Sequence, residues 1–449
     1  MRTQSIRIAL AIVLLCPLAS GQWVQTNGVS APGGTSCLAV SGTNLFAGTY
    51  GGYGGVFGGV FLSTNNGTSW TPVNSGLTNF EVHSLAVSGT NLFAGTDGGV
   101  FLTTNSGASW TAVNNGLTDF HVYALAVSGM NLFAGTGDAG YNNELAAGHG
   151  VFLSTNNGTS WTKVNTGLMD TSVYAFAVDS NGVGSTKLFA GTNGGVFLST
   201  NNGTNWTPAS TGLEYVRSLA VIPHEASGTY LFAGMLTPWV GEGGVLLSTN
   251  NGTSWAKVGS GLGSYVPALA VSGTSLFAGT CEYEKAGPAI GVLLSTNNFA
   301  GWTAVNEGLP LLYPLDSTSY LSVRCLAIAG QNLFAGDRSG GVWRRPVSEM
   351  ITSVDPASSA WPSDFLLCQN YPNPFNPSTT IKFELPRTSH VNLSVFDILG
   401  REISVLVNER KDAGVHEIQF NATNLASGVY FYRIQAGTYT ETKSLLLLR

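Results

Sequence analysis

Two sets of side chains at matched spacing could do chemistry in this chain. Just ahead of each recurring Leu-Ala-Val-type triplet stand Ser36, His83, Tyr123, Tyr174, Arg217, Pro267 and Arg324. Two residues earlier in each case come Gly34, Glu81, His121, Ser172, Tyr215, Tyr265 and Ser322. The residue types vary here while the following triplet does not. Tyr offers rigid contact area, and Arg and His offer polar selectivity, so the pattern reads as a binding funnel. Trp239, Tyr53, Tyr141 and Tyr283 sit in nearby insertions. Glu81, Asp138, Glu242, Glu282 and Asp316 could instead supply the two carboxylates that glycoside hydrolysis needs. The sequence does not pair them. No His/Cys/Asp cluster has metal-ligand spacing, and no phosphate loop or nucleophile elbow is present, so neither a metal nor a cofactor is expected.

The elements that must carry these residues repeat. Leu-Phe-Ala-Gly begins at Leu45, Leu92, Leu132, Leu188, Leu231, Leu276 and Leu333. Such a period points to a propeller or another repeat array. One repeat reads as four short β runs with Gly, Asn and Ser turns between them. Its first two runs are continuously apolar, as strands buried on both faces are. The fourth run starts at Trp70, Trp110, Trp161, Trp206, Trp255 and Trp302, one short of seven. Trp23-Val24-Gln25-Thr26-Asn27-Gly28 resembles Trp70-Thr71-Pro72-Val73-Asn74-Ser75 and is expected to supply the missing strand. The expected fold is all-β: a seven-bladed propeller closed by its N-terminal strand, followed by a small Ig-like sandwich. Loops joining the fourth strand to the next blade, and the second strand to the third, share one face. That face carries most long insertions and is the expected working face.

Composition narrows the function classes. The net charge is −6 and there is no basic run, which disfavours nucleic acid as a partner. Arg2 and Arg7, the apolar run Ile8 to Leu15, and Ala19-Ser20-Gly21 read as a signal peptide over residues 1–21. No later segment reads as transmembrane. Cys37 and Cys325 fall at one repeat position in the first and last repeats, where either a closing disulfide or buried thiols would fit.

Ser63-Thr64-Asn65-Asn66-Gly67-Thr68-Ser69-Trp70, repeated at Ser154, Ser199 and Ser248, resembles the Asp-box of sialidase-type and sortilin-type propellers, with Asn in place of Asp. The resemblance implies structural turns, with Trp packed inside the blade. The three arginines of a sialidase are not matched. Non-catalytic Asp-box propellers, which act as binding platforms, are the better match.

After a Ser/Pro/Ala linker at 348–363, residues 364–449 carry Asn370-Tyr371-Pro372-Asn373-Pro374-Phe375, then Gly400, Gly428-Val429-Tyr430, and Lys443 to Arg449. These motifs closely resemble the type A C-terminal sorting domain of the type IX secretion system. That resemblance implies the type IX machinery as partner, a Gram-negative host, passage through the periplasm, and release or anchoring at the outer surface. The propeller at 22–347 is then expected to bind a glycan or a protein. The alternatives are a secreted glycoside hydrolase working on the same face and a structural surface-layer component.

Overall fold

The structure, a computed structural model, describes residues 21–29, 31–51, 58–137, 148–179, 186–210, 213–224, 228–236, 244–258, 262, 265–281, 289–296, 299, 301–311, 321–351, 366–367, 370, 373–385, 389–411, 414–437 and 439–448. All but Gly21 of the expected signal peptide, most of the linker, Cys368 and the insertion residues Tyr53, Asp138, Tyr141, Trp239, Glu242, Glu282, Tyr283 and Asp316 lie outside them.

Seven antiparallel four-stranded sheets follow one another along the chain. Blade 1 is Thr35–Ser41, Asn44–Thr49, Gly59–Ser63 and Thr71–Pro72. Blades 2 to 6 repeat this order from Val82, Val122, Val173, Val216 and Ala268. Blade 7 takes Val323–Ala329, Asn332–Asp337 and Val342–Pro346 from one end of the chain and Val24–Gln25 from the other. Val24 pairs with Arg344 and Gln25 with Trp343, so the N-terminal segment does complete the last sheet. A short helical turn, Val347–Ile351, follows and packs its Met350 against blades 6 and 7.

The Leu-Phe-Ala-Gly tetrapeptide has a packing reason. Its Leu, Phe and Ala are buried in every blade. Its Gly marks where a blade meets the next one. A Cβ on Gly135 would lie 2.7 Å from Val173 Cγ1 in blade 4, and a Cβ on Gly191 2.7 Å from Val216 Cγ1 in blade 5. Gly135→Ala is therefore expected to cost about 1–3 kcal/mol, the usual range for an overpacked core. An unchanged thermal midpoint would show that the blades can separate there without strain.

The tryptophans correct one expectation. They do not pack within their own blade alone but join it to the one before. The indole Nε1 of Trp110 donates to Val73 O at 2.7 Å, that of Trp161 to Val113 O at 2.7 Å, and that of Trp206 to Val164 O at 2.8 Å. Trp23 repeats the bond to Val305 O at 2.6 Å, so the ring is closed by the device that joins its other blades. The described turns before Trp70, Trp110, Trp161, Trp206 and Trp255 are internally satisfied. Asn65 Oδ1 accepts from Ser69 N at 3.0 Å, and Ser63 Oγ accepts from Gly67 N at 2.9 Å.

Cys37 and Cys325 are free thiols. Burial pushes the Cys37 thiol up to about 12, and Cys325 is raised as well, mainly by burial. Both therefore stay protonated at neutral pH.

The C-terminal residues form a separate sandwich. Leu366–Leu367, Ser378–Leu385 and Gly414–Asn421 make one sheet. Glu402–Lys411, Ser389–Phe396, Gly428–Ala436 and Tyr439–Leu447 make the other, in that spatial order. Their inner faces bury the alternating Val391, Leu393 and Val395, together with Tyr432, Ile434, Phe383 and Leu445. Tyr430 is only partly buried.

Candidate functional site

The first strand of a blade pairs with the second through a register shift. Val82 lies opposite Thr96 while Ser84 lies opposite Gly95, so His83 is the extra residue of a β-bulge. The same shift isolates Ser36, Tyr123, Tyr174, Arg217 and Arg324. A bulge releases one residue from the ladder and re-aims its side chain, which explains why this position varies while its neighbours do not. Blade 6 differs: Pro267 lies just ahead of a first strand that begins at Ala268.

Five of the six bulge residues join a continuous arc. Arg324 lies over the Tyr50 ring, with Cζ 5.3 Å from its centroid. Tyr50 and His83 have centroids 5.2 Å apart, His83 and Tyr123 4.3 Å, and Tyr123 and Tyr174 5.4 Å. Arg217 covers the Tyr174 ring at 3.9 Å and stands 5.8 Å from Tyr215. A guanidinium over an aromatic ring at such distances stabilises by about 0.5–2 kcal/mol. The arc thus passes through blades 7, 1, 2, 3, 4 and 5. Ser36, the sixth bulge residue, bonds instead to the carbonyls of Gly48 and Val82.

Tyr50 is a member that the two matched sets missed. It follows the second strand directly, and the residues at that position are Tyr50, Asp97, Gly137, Asn193, Leu236, Cys281 and Arg338. This third variable set buttresses the bulges. Asp97 Oδ1 lies 2.7 Å from His83 Nε2, and Tyr50 OH 3.2 Å from His83 Nδ1. Asn193 Oδ1 accepts from Arg217 Nη2 at 2.9 Å. Gly137 leaves room for two rings: a Cβ there would come within 3.0 Å of Tyr123 and 3.2 Å of Tyr174. Burial raises the Asp97 pKa, but the His83 hydrogen bond and charge outweigh it, and the carboxyl lies below its ordinary value.

The set two residues earlier splits up. Glu81 Oε1 accepts from Gly51 N at 3.1 Å, which ties it to the neighbouring loop. His121 stands outside the arc. Its Nδ1 is 3.1 Å from Asp119 Oδ1, and His149 Nδ1 is 3.3 Å from Asp119 Oδ2. Asp119 also accepts from the backbone N–H of both His121 and His149. Burial opposes these bonds, yet they hold the carboxyl below its ordinary range. Tyr215 is exposed and has φ +54, a conformation that an aromatic residue adopts at a cost. Tyr265 bridges to Leu236, and its carbonyl accepts from Cys281 N at 3.1 Å. Trp239 lies outside the described residues. Exposed Phe120 and Met169 stand on the same loop series as Tyr215, in blades 3 and 4. Among the described residues no group of His, Cys, Asp and Glu could hold a metal ion.

One C-terminal motif, Asn373 to Phe375, is held against the last strand. Phe375 is buried, its N–H donates to Leu446 O at 2.9 Å, and its carbonyl accepts from Leu448 N at 3.0 Å. Asn373 Oδ1 accepts from Leu446 N at 2.9 Å. Buried Asn370 donates its N–H to Tyr432 OH and its Nδ2 to Thr379 Oγ1, both at 2.9 Å. Tyr430 OH donates to Ala426 O at 2.8 Å, just ahead of Gly428, and Lys443 pairs with Glu441 at 3.0 Å. Gly400, at φ +78, closes the turn that Asp397 caps. Pro374 lies within this clamped segment. Tyr371, Pro372 and Arg449 lie outside the described residues.

Residues 369–447 match the family of the secretion system C-terminal sorting domain. The protein is a cargo of the type IX secretion system. Its destination is the cell surface or the extracellular space. In the described part of this cargo no helix is long and apolar enough to cross a membrane. No curated protein matches the cargo in sequence. Among solved structures it is similar to PorZ of Porphyromonas gingivalis, a surface component of the type-IX secretion system, at 14% identity and TM-score 0.41, over 92% of this chain and 69% of that one. It is similar to the computationally designed Ika8 protein at 13% identity and TM-score 0.40, over 72% of this chain and all of that one. The Niastella koreensis GH74 enzyme matches at 18% identity and TM-score 0.41, over 73% of this chain and 43% of that enzyme.

Proposed function

We propose that the exported propeller is a binding module whose loop-rich mouth captures a saccharide outside the cell. The observation that carries this reading is the unbroken arc from Arg324 through Tyr50, His83, Tyr123 and Tyr174 to Arg217. Ring faces pack on the C–H faces of sugars, while phenol and guanidinium groups bond their hydroxyls. The rings are braced by Asp97, Asn193 and the bulges, so little order has to be imposed on binding. The described acids favour binding over hydrolysis. Glu81, Asp119 and Asp170 each accept from backbone N–H groups of nearby loops, which is a positioning task.

The test uses the full secreted protein on a panel of soluble polysaccharides, scoring retention and reducing-end release together. Retention without release is expected, with Tyr123→Ala and Arg217→Ala each weakening it at least tenfold, about 1.4 kcal/mol. Release that disappears in Glu81→Gln would establish a hydrolase instead. Absence of both would point to a protein ligand or a structural role.

A further inference from the structure

The outer face of the four-stranded sheet in the sorting domain changes character along its length. Val391, Leu393, Val395, Tyr432 and Ile434 point inward and are buried. Strand alternation turns their neighbours outward. At one end of that outer face Asn392 pairs with Gln435, and Gln435 with Thr440. A row of Ser394, Arg433 and Thr442 follows. At the other end Phe396 pairs with Phe431, and Val429 with Leu446. Val429 is exposed, and so is Leu448 beyond the last pair. The core of the sandwich is filled without these five. The row through Phe396 ends in Glu402 on one side and Ser444 on the other, and Arg433 lies over the Phe396 ring, with Cζ 4.9 Å from its centroid. The turn after Phe396 stands at the same end. Its Ile398 and Leu399 are 72% and 73% exposed. Asp397 fixes that turn by accepting from Leu399 N and Arg401 N, both at 2.9 Å. Two large apolar side chains held in water by an ordered turn have no packing task within the domain. The strip is apolar in its middle and polar at its rim, as interaction surfaces are.

We propose that this strip is the surface by which the sorting domain docks on the type IX machinery, and that its occupant is an apolar groove of a machinery component. The proposal is independent of the saccharide reading. Residues 369–447 match the sorting family, so some surface of this sandwich meets that machinery. The motif residues frame the strip. Gly400 lies in its turn, Gly428 immediately precedes Val429, and Lys443 precedes Ser444. Asn370 and Phe375, by contrast, are spent inside the domain, where both are buried. Recognition then rests on burying a preformed sheet face and turn, which needs little ordering of the cargo.

The experiment follows export of the full chain by immunoblots of periplasm, cell surface and medium, with thermal unfolding of the purified full chain as the folding control. The turn variant Ile398→Asn with Leu399→Asn should lower the exported amount at least tenfold at the parent thermal midpoint. Val429→Thr with Leu448→Gln should do the same. Ile398→Val with Leu399→Met keeps the apolar area and should be exported normally. Gln435→Ala and Thr440→Ala, at the polar end of the face, should leave export unchanged. A photo-crosslinking amino acid in place of Leu399 should form an adduct with a type IX component, identified by mass spectrometry, and one in place of Gln435 should not. Normal export of the turn variant would overturn the proposal. Lost export with a lowered midpoint in that variant would overturn it too, because Ile398 and Leu399 would then serve folding. An adduct only with a second copy of the chain would make the strip a dimer surface, and one only with lipid a membrane contact; either result would overturn it.

Discussion

Trp23→Ala is expected to destabilise the propeller by about 3–5 kcal/mol, the range for emptying a buried aromatic site. Trp23 is 3% exposed and packs among Val305, Leu309, Leu333 and Ala335, at the junction of blades 6 and 7. Its indole bond to Val305 O would be lost, and so would its backbone bond from N–H to Glu307 O at 2.7 Å if the strand came away. The strand it introduces has only two paired residues, Val24 and Gln25, and both are exposed. Beyond it the edge is held by hydrogen bonds: Thr26 N and Oγ1 both donate to Val342 O at 2.8 Å, Trp70 Nε1 donates to Thr26 Oγ1 at 2.9 Å, and Asn27 O accepts from Trp70 N at 3.0 Å. Loss of the anchor should therefore loosen the start of the segment and expose part of a sheet edge, which promotes association between molecules. Thermal unfolding with light scattering measures both effects. Trp23→Phe should recover most of the packing and lose only the hydrogen bond, about 1 kcal/mol. Val24→Ala should change little. A Trp23→Ala protein with the parent midpoint would mean that the first strand does not close the ring.

Phe375→Ala should have a comparable effect in the sorting domain, about 3–5 kcal/mol. Phe375 is 2% exposed, within ring contact of Phe420 (centroids 6.2 Å apart), and tied at both its N–H and its carbonyl to the last strand. A small domain has about 5–15 kcal/mol in total, so this loss would leave a sizeable unfolded fraction. Export should fail, with the full-length chain accumulating in the periplasm, as immunoblots of periplasm, cell surface and medium would report. Asn373→Ala removes one exposed bond, to Leu446 N, and should reduce export far less. Normal export of Phe375→Ala would mean that the machinery reads the motif residues without requiring a folded sandwich.

Much of this was legible because it is local or periodic. The Leu-Phe-Ala-Gly repeat, the apolar strand cores and the Trp23 segment are patterns along the chain, and the seven sheets follow them. The sorting motifs were equally plain, because their residues stand in fixed order within a short domain. The variable position that the bulges expose could be aligned from the triplet that follows it. The partners of that position could not. Tyr50 meets His83 in the next blade and Arg324 in the previous one. Alignment ranks residues by height in the blade but is silent on which ring leans on which. The residue after each second strand was just as variable, and reading that column would have brought out Tyr50, Asp97 and Asn193.

The residue pattern alone thus settled the number of blades, the strand that closes them and the export address, since each is written in short-range spacing that burial then enforces. The tertiary structure decided that His83, Tyr123 and Tyr174 form one platform while Glu81 and His121 are drawn away to Gly51 and Asp119. It also decided that the tryptophan ahead of each fourth strand staples its blade to the one before. Apart from the local His121–Asp119 pair, those outcomes depend on contacts between residues in different blades, and up to the length of the propeller apart, whose distances are set only when the sheets pack.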